Sequence, residues 1–177
     1  MKDFIMDAKA RYFFVAFVGF MAAVLTSMIS CTDSRKPETE KSSINVTAPD
    51  FSLKDLTGKN FTLSAQKGKP VLLIFITTWC PTCRSEMPRY SSIYKKYSRH
   101  GLEVVNIDIE EPREKVLRFA EKYNVPYRML LDEKGKVAET YRIVGIPSMV
   151  LIDKDGKVLS KQYLAMDRLL ENLLGKN

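Results

Sequence analysis

One histidine and three cysteines are all that the 177 residues offer for coordinating a soft metal. A structural zinc site needs four such ligands close together, so this scarcity argues against one. The histidine lies in Ser98-Arg99-His100-Gly101, at the end of a helical stretch before glycine, and reads as part of a cap rather than as a catalytic group. There is also no basic stripe interleaved with aromatics, although the net charge is +7. Acids alternate with bases in Lys54-Asp55, Arg113-Glu114-Lys115 and Lys154-Asp155, which describes solvated faces and gives no reason to expect nucleic acid. Internal repeats are absent. No second cysteine pair is available to staple the fold beyond Cys80 and Cys83, because Cys31 lies far from both.

What the sequence does contain begins with an apolar run. After a short stretch ending at Arg11, Tyr12 to Ile29 carries no charge and is rich in Phe, Val, Met, Ala and Leu. As a helix it would be about 27 Å long, close to the roughly 30 Å of a bilayer core. The flanking charges keep the extreme N-terminus inside and send the rest of the chain out of the cytoplasm. Two readings of residues 1–30 remain open, an uncleaved transmembrane anchor and a signal peptide cut at Ser30-Cys31. The run Met28-Ile29-Ser30-Cys31 resembles a bacterial lipoprotein signal, which would make Cys31 a lipidation site, although Met28 stands where Leu is usual. Residues 31–47 are polar and rich in breakers and read as a flexible tether. Residues 48–177 are expected to form one domain.

Within that domain Phe51, Leu53, Phe61 and Leu63 alternate with polar residues around Thr57-Gly58, the pattern of a β-hairpin. Val71 to Ile76 is a continuous apolar run, as in a strand buried on both faces. Helical spacing follows over Arg84 to Tyr97, with Pro88 expected to kink the helix. Further along come a strand over Leu102 to Ile109, a helix over Pro112 to Tyr123, a strand over Tyr127 to Leu131 and a helix around Lys136 to Tyr141. A strand over Ser148 to Ile152, another over Lys157 to Tyr163 and a helix from Asp167 complete an α/β alternation.

The chemistry is concentrated in Trp79-Cys80-Pro81-Thr82-Cys83, at the junction between the buried strand and the helix after it. The N-terminus of a helix offers free N–H groups and a partial positive charge, which favour a thiolate at Cys80. Cys83, one turn further in, is expected to be more buried and less reactive. A vicinal pair alone outside the cytoplasm is redox-active more often than structural. The expected chemistry is attack through Cys80, a mixed disulfide with a partner protein, and resolution by Cys83 through a Cys80-Cys83 disulfide. Trp79 reads as an exposed platform for the partner.

These motifs, with Ala48-Pro49-Asp50-Phe51, Glu86-Met87-Pro88 and Gly145-Ile146-Pro147 leading into Val150-Leu151-Ile152-Asp153, resemble the thioredoxin-like proteins of the TlpA/ResA group. The resemblance implies a thioredoxin fold, a central mixed β-sheet flanked by helices, here with an N-terminal β-hairpin extension and a membrane segment. It implies a membrane-anchored thiol-disulfide oxidoreductase acting outside the cytoplasm as a reductant of oxidised proteins such as apocytochrome c. Its electron donor would be a membrane or thioredoxin-like protein. Pro147 looks like the family's cis-proline, leaving the Ile146 backbone free to pair with an extended substrate, beside Pro81 and Thr82. Thioredoxin has a buried aspartate six residues before its first cysteine, where this chain has Ile74. In the resembling proteins an acidic residue after the next strand approaches the site, which points to Glu110 or Glu111. A desolvated glutamate there would have a raised pKa and could carry protons.

No cofactor or metal is expected, and the domain reads as a monomer. A copper-delivery module of the Sco type shares the fold, but needs three residues between its cysteines and a later histidine, and none follows His100. A peroxiredoxin would have a threonine three residues before the reactive cysteine, as Thr77 is, but also a proline where Leu73 stands.

Overall fold

The computed structural model of the protein describes residues 46–175, and the apolar run Val71–Ile76 is the strand on which its sheet is built, all six residues buried. The apolar run expected to act as anchor, Cys31 and the tether up to residue 45 lie outside the described residues. Among the described residues no helix is long and apolar enough to cross a membrane.

In chain order the strands are β1 (Val46–Thr47), β2 (Ser52–Asp55), β3 (Asn60–Thr62), β4 (Val71–Ile76), β5 (Glu103–Ile109), β6 (Arg128–Asp132), β7 (Ser148–Ile152) and β8 (Lys157–Ser160). They form one sheet in the order β1-β8-β7-β4-β5-β6-β2-β3. β4, β5 and β6 run parallel, while β7 is antiparallel to β4, so the sheet is mixed. Parallel neighbours need a crossover, and two of the helices supply them: α1 (Pro81–Tyr97) between β4 and β5, and α2 (Arg113–Lys122) between β5 and β6. Two further helices are α3 (Lys136–Thr140) and α4 (Met166–Leu174).

Because side chains alternate across a strand, β4 feeds two cores. Leu72, Ile74 and Ile76 join Cys83, Met87, Tyr90, Val116, Phe119 and Leu170 on the side of α1, α2 and α4. Val71, Leu73 and Phe75 join Phe61, Val137, Ala138 and Tyr141 on the other. Full burial of one such side chain is worth about 1.5–3 kcal/mol, which explains why this central strand tolerates no polar position.

Local chemistry sets the ends of the elements. β2 and β3 pair antiparallel with Leu53 opposite Phe61. In the turn between them Asp55 accepts from the N–H groups of Thr57 and Lys59, and Gly58 takes a φ of 84°. α1 starts on Cys80 with Pro81 in its first turn and runs on through Pro88. Its buried residues Cys83, Met87, Tyr90, Ile93 and Tyr97 make one stripe. α1 is tied to α4 by Arg89, which bonds Glu86 and Asp167, and Tyr163 donates to Glu86 at 2.7 Å.

Several boundaries differ from expectation by a residue or more. Val46–Thr47, at the end of the polar segment, pair with β8, so the domain starts before Ala48. β8 stops at Ser160 rather than Tyr163, because the Ser160 hydroxyl accepts from the Gln162 N–H and turns the chain. His100 closes a short 3-10 turn, but the cap is Gly101, whose N–H donates to the Ser98 carbonyl at φ 85°.

Candidate active site

β4 delivers the chain to the edge of the sheet, and Thr77-Thr78-Trp79 then lead to Cys80. Cys80 is the N-cap of α1, in extended conformation (φ −68°, ψ 118°), and its sulfur accepts the Cys83 backbone N–H at 3.1 Å. The cap therefore presents its sulfur to one of the free N–H groups of the first turn. Pro81, lacking an N–H, loses nothing at this position.

The two thiols are unequal in exposure, though less so than expected. Cys83 is wholly buried, the more buried of the two as expected, but Cys80, at 5% exposed, is buried as well. Its sulfur is drawn under the helix start by the Cys83 N–H. Burial, and then the adjacent Cys80 sulfur, push the Cys83 thiol up to about 12. The exposed group beside the pair is Trp79, at 59%. Pro81 and Thr82 are also exposed.

The other wall comes from the start of β7. The peptide bond Ile146-Pro147 is cis. Phe75 on β4 pairs with Ser148 on β7, so one step further along the same antiparallel register Pro147 falls opposite Ile76, at the end of the sheet from which the cysteine turn departs. Ile146 packs against the core cluster that contains both cysteines, while Val144 is fully exposed nearby in sequence.

The two glutamates at the exit of β5 separate cleanly. Glu110 takes a left-handed φ of 55° and is exposed, with its side chain lying over Gly135, so it does not join the cysteine turn. That reversal carries Glu111 back under the turn, where it is buried. Its Oε2 accepts the Thr78 backbone N–H, its Oε1 accepts the Thr78 hydroxyl at 2.8 Å, and Lys115 Nζ lies 2.5 Å from Oε1. Burial raises the carboxyl's pKa, but Lys115 and the two Thr78 donors outweigh it and hold Glu111 below the ordinary carboxylate range. The expectation of a raised pKa for this glutamate is thus reversed, because donors sit on both oxygens.

Sequence reasoning missed Asp108. It lies within β5, opposite Ile76, is 1% exposed, and neither of its oxygens has a hydrogen-bond donor among the described residues. Burial and the neighbouring Glu111 push its carboxyl up to about 8. The only available signal was an acid inside the mostly apolar strand Glu103–Ile109, which also holds Asn106. Ile74, on the same sheet face, is fully buried between Asn106 and Met149 and supplies no titratable group. No group of His, Cys, Asp and Glu suited to a metal ion occurs among the described residues.

Comparison with known proteins places this geometry. Residues 44–161 match the model of the AhpC/TSA family. The thiol-disulfide oxidoreductase ResA of Bacillus thuringiensis subsp. konkukian is 38% identical over 122 residues, 69% of this chain and 70% of that protein. The ResA of Geobacillus kaustophilus is 37% identical over 137 residues, 76% and 79% of the two chains. Among solved structures, the thioredoxin domain of a thiol-disulfide oxidoreductase from Bacteroides vulgatus superposes with a TM-score of 0.68 at 27% identity, covering 73% of this chain and 96% of that one. A secreted disulfide oxidoreductase of Mycobacterium tuberculosis, described as homologous to E. coli DsbE, gives 0.57 at 29% identity, covering 61% and 79%.

Proposed function

Because this chain belongs to the AhpC/TSA family and is a thiol-disulfide oxidoreductase with a thioredoxin fold, we propose that it reduces disulfides of proteins outside the cytoplasm through Cys80 and Cys83. The observation that carries the reading is the inequality of the two sulfurs. Cys80 caps the helix and accepts the Cys83 N–H, while the Cys83 thiol is held protonated and fully buried. A nucleophile and a reserve are thereby set 3 residues apart.

The Cys80 thiolate attacks one sulfur of the substrate disulfide, forming a mixed disulfide while the other substrate sulfur leaves and takes up a proton. Cys83 then loses its proton and attacks the Cys80 sulfur, releasing the second substrate thiol and leaving the Cys80-Cys83 disulfide. Two electrons have passed to the substrate, and a dithiol donor must return them. Trp79, Pro81, Thr82 and the Ile146 backbone beside Pro147 would receive an extended substrate segment; the exposure of Trp79 and the register of β7 support this. Glu111, rather than Glu110, is the acid bonded to the turn; held ionised, it serves there to orient Thr78 ahead of Cys80.

The apolar run Tyr12 to Ile29, just before Cys31, supports attachment of the domain to the outer face of a bacterial membrane, by acylation of Cys31 or by an uncleaved helix. Fatty-acid labelling that follows Cys31 selects the first, and membrane retention without label selects the second. An apocytochrome c is the substrate class suggested by the resemblance to the TlpA/ResA group. Equilibration of Cys80/Cys83 with glutathione tests the direction: a potential well below about −200 mV agrees with a reductant, and one near −120 mV overturns it.

A further inference from the structure

A carboxyl group buried without a donor is costly, and Asp108 is buried at 1% with both oxygens unpartnered. Its surroundings say which protonation state relieves that cost. Across the β4–β5 ladder it faces Ile76, the residue before Thr77. Two residues earlier on the same face of β5 is the uncharged Asn106, also buried without a partner. The charged groups acting on Asp108 are Glu111, from the loop after β5, and Lys115 on α2. Lys115 sits 2.5 Å from Glu111 Oε1. Glu111 therefore has an ammonium, an N–H and an O–H on its oxygens, while Asp108 has none.

Two adjacent carboxyls cannot both ionise cheaply, and the one supplied with donors keeps the charge. We infer that Asp108 is a positioning residue of the exchange reaction: as a neutral acid it donates a hydrogen bond to Glu111, and so steadies the Thr78-Trp79-Cys80 turn that Glu111 holds. Burial first, and then the neighbouring Glu111, raise the Asp108 carboxyl. The Thr77 hydroxyl, next in the chain after Ile76, is likewise buried and unpartnered. Asp108 thus acts on the cysteine turn through Glu111. A neutral donor at this place explains why a carboxyl is compatible with an apolar strand.

The inference rests on the exchange reaction proposed above, and its test separates the two. In the full-length protein, Asp108→Asn keeps a donor for Glu111, and Asp108→Leu keeps the volume without one. Rates of exchange with a small aromatic disulfide are compared as ratios to the unaltered protein, which cancels the titration of the cysteines. Near pH 7 the Asn variant should match the parent, and the Leu variant should be about tenfold slower, the effect of leaving a buried acceptor unpaired. By about pH 9.5 the Asn-to-parent ratio should rise about tenfold, because the parent loses its donor and the variant does not. A Leu variant as fast as the parent, or an Asn ratio flat with pH, overturns the inference; should the Leu protein not fold, the Asn ratio alone decides. If the parent exchanges no disulfides, the reading of function fails, but the carbon-13 shift of the Asp108 carboxyl still decides its state. A titration near 8 supports the neutral acid, and one near 4, the ordinary carboxyl value, overturns it.

Discussion

Glu111 holds Thr78 by both its backbone N–H and its hydroxyl, although 33 positions separate them in the chain. The contact joins the exit of β5 to Thr78, two residues before Cys80, so the cysteine turn is fixed from beneath and not only by the helix it begins. Lys115, one turn into α2, completes the anchorage.

Glu111→Ala should destabilise the domain by roughly 2–4 kcal/mol, because it strands a buried N–H and a buried hydroxyl together. The pH dependence follows from the lowered carboxyl. Its contribution is complete above the unfolded value of 4.5 and is lost as the pH falls through the lower folded value. Urea unfolding at neutral and acidic pH measures both, and the variant should lose less stability on acidification than the parent.

Asp108 acts with the opposite sign. Its folded pKa is raised to about 8 from 3.8, so the stability it contributes is present below pH 3.8 and is lost as the pH rises through 8. Asp108→Asn should therefore flatten the decline in stability over that window, with the largest gain over the parent above pH 8. Denaturant midpoints at three pH values suffice, and a decline that persists unchanged in the variant would show that another group causes it.

With the Cys83 thiol raised to about 12, alkylation by iodoacetamide at neutral pH should modify Cys80 and spare Cys83. Cys80→Ala should reduce turnover to the uncatalysed rate. Cys83→Ala should accumulate mixed disulfides with partner proteins, visible on non-reducing gels; an absence of such adducts in cells counts against its resolving role.

Ile74→Asp places a carboxyl where thioredoxin carries one, at a fully buried position of this core. Ile74 is fully buried between Asn106 and Met149, so the change should cost about 4 kcal/mol or more and the loss should grow with pH as the new acid ionises. Unfolding in urea at low and neutral pH checks the direction; an equally stable variant would mean that this core admits a charge.

Much of the fold follows from pattern along the chain. The apolar run Val71–Ile76, the spacing of Met87, Tyr90, Ile93 and Tyr97 and the alternation of strands with helices were sufficient because each reflects a local period. Element ends were less legible where a side chain closes the turn, as Ser160 does for β8. Of the site, the cysteine motif and Pro147 could be read because each is a short run of residues with a distinctive chemistry. Choosing between Glu110 and Glu111 could not, because a single left-handed φ at Glu110 decides which carboxyl faces the turn.

The sequence by itself determined that Cys80 starts a helix with Cys83 one turn behind it, since proline placement, helix periodicity and the buried strand before them are all local. Only the tertiary structure decided how that turn is supported. Asp108, Glu111 and Thr78 meet because β4 and β5 lie side by side and the chain reverses at Glu110. Burial, and the donors each carboxyl finds there, then raise one acid and lower the other, and neither burial nor the identity of those donors is carried by adjacency in sequence.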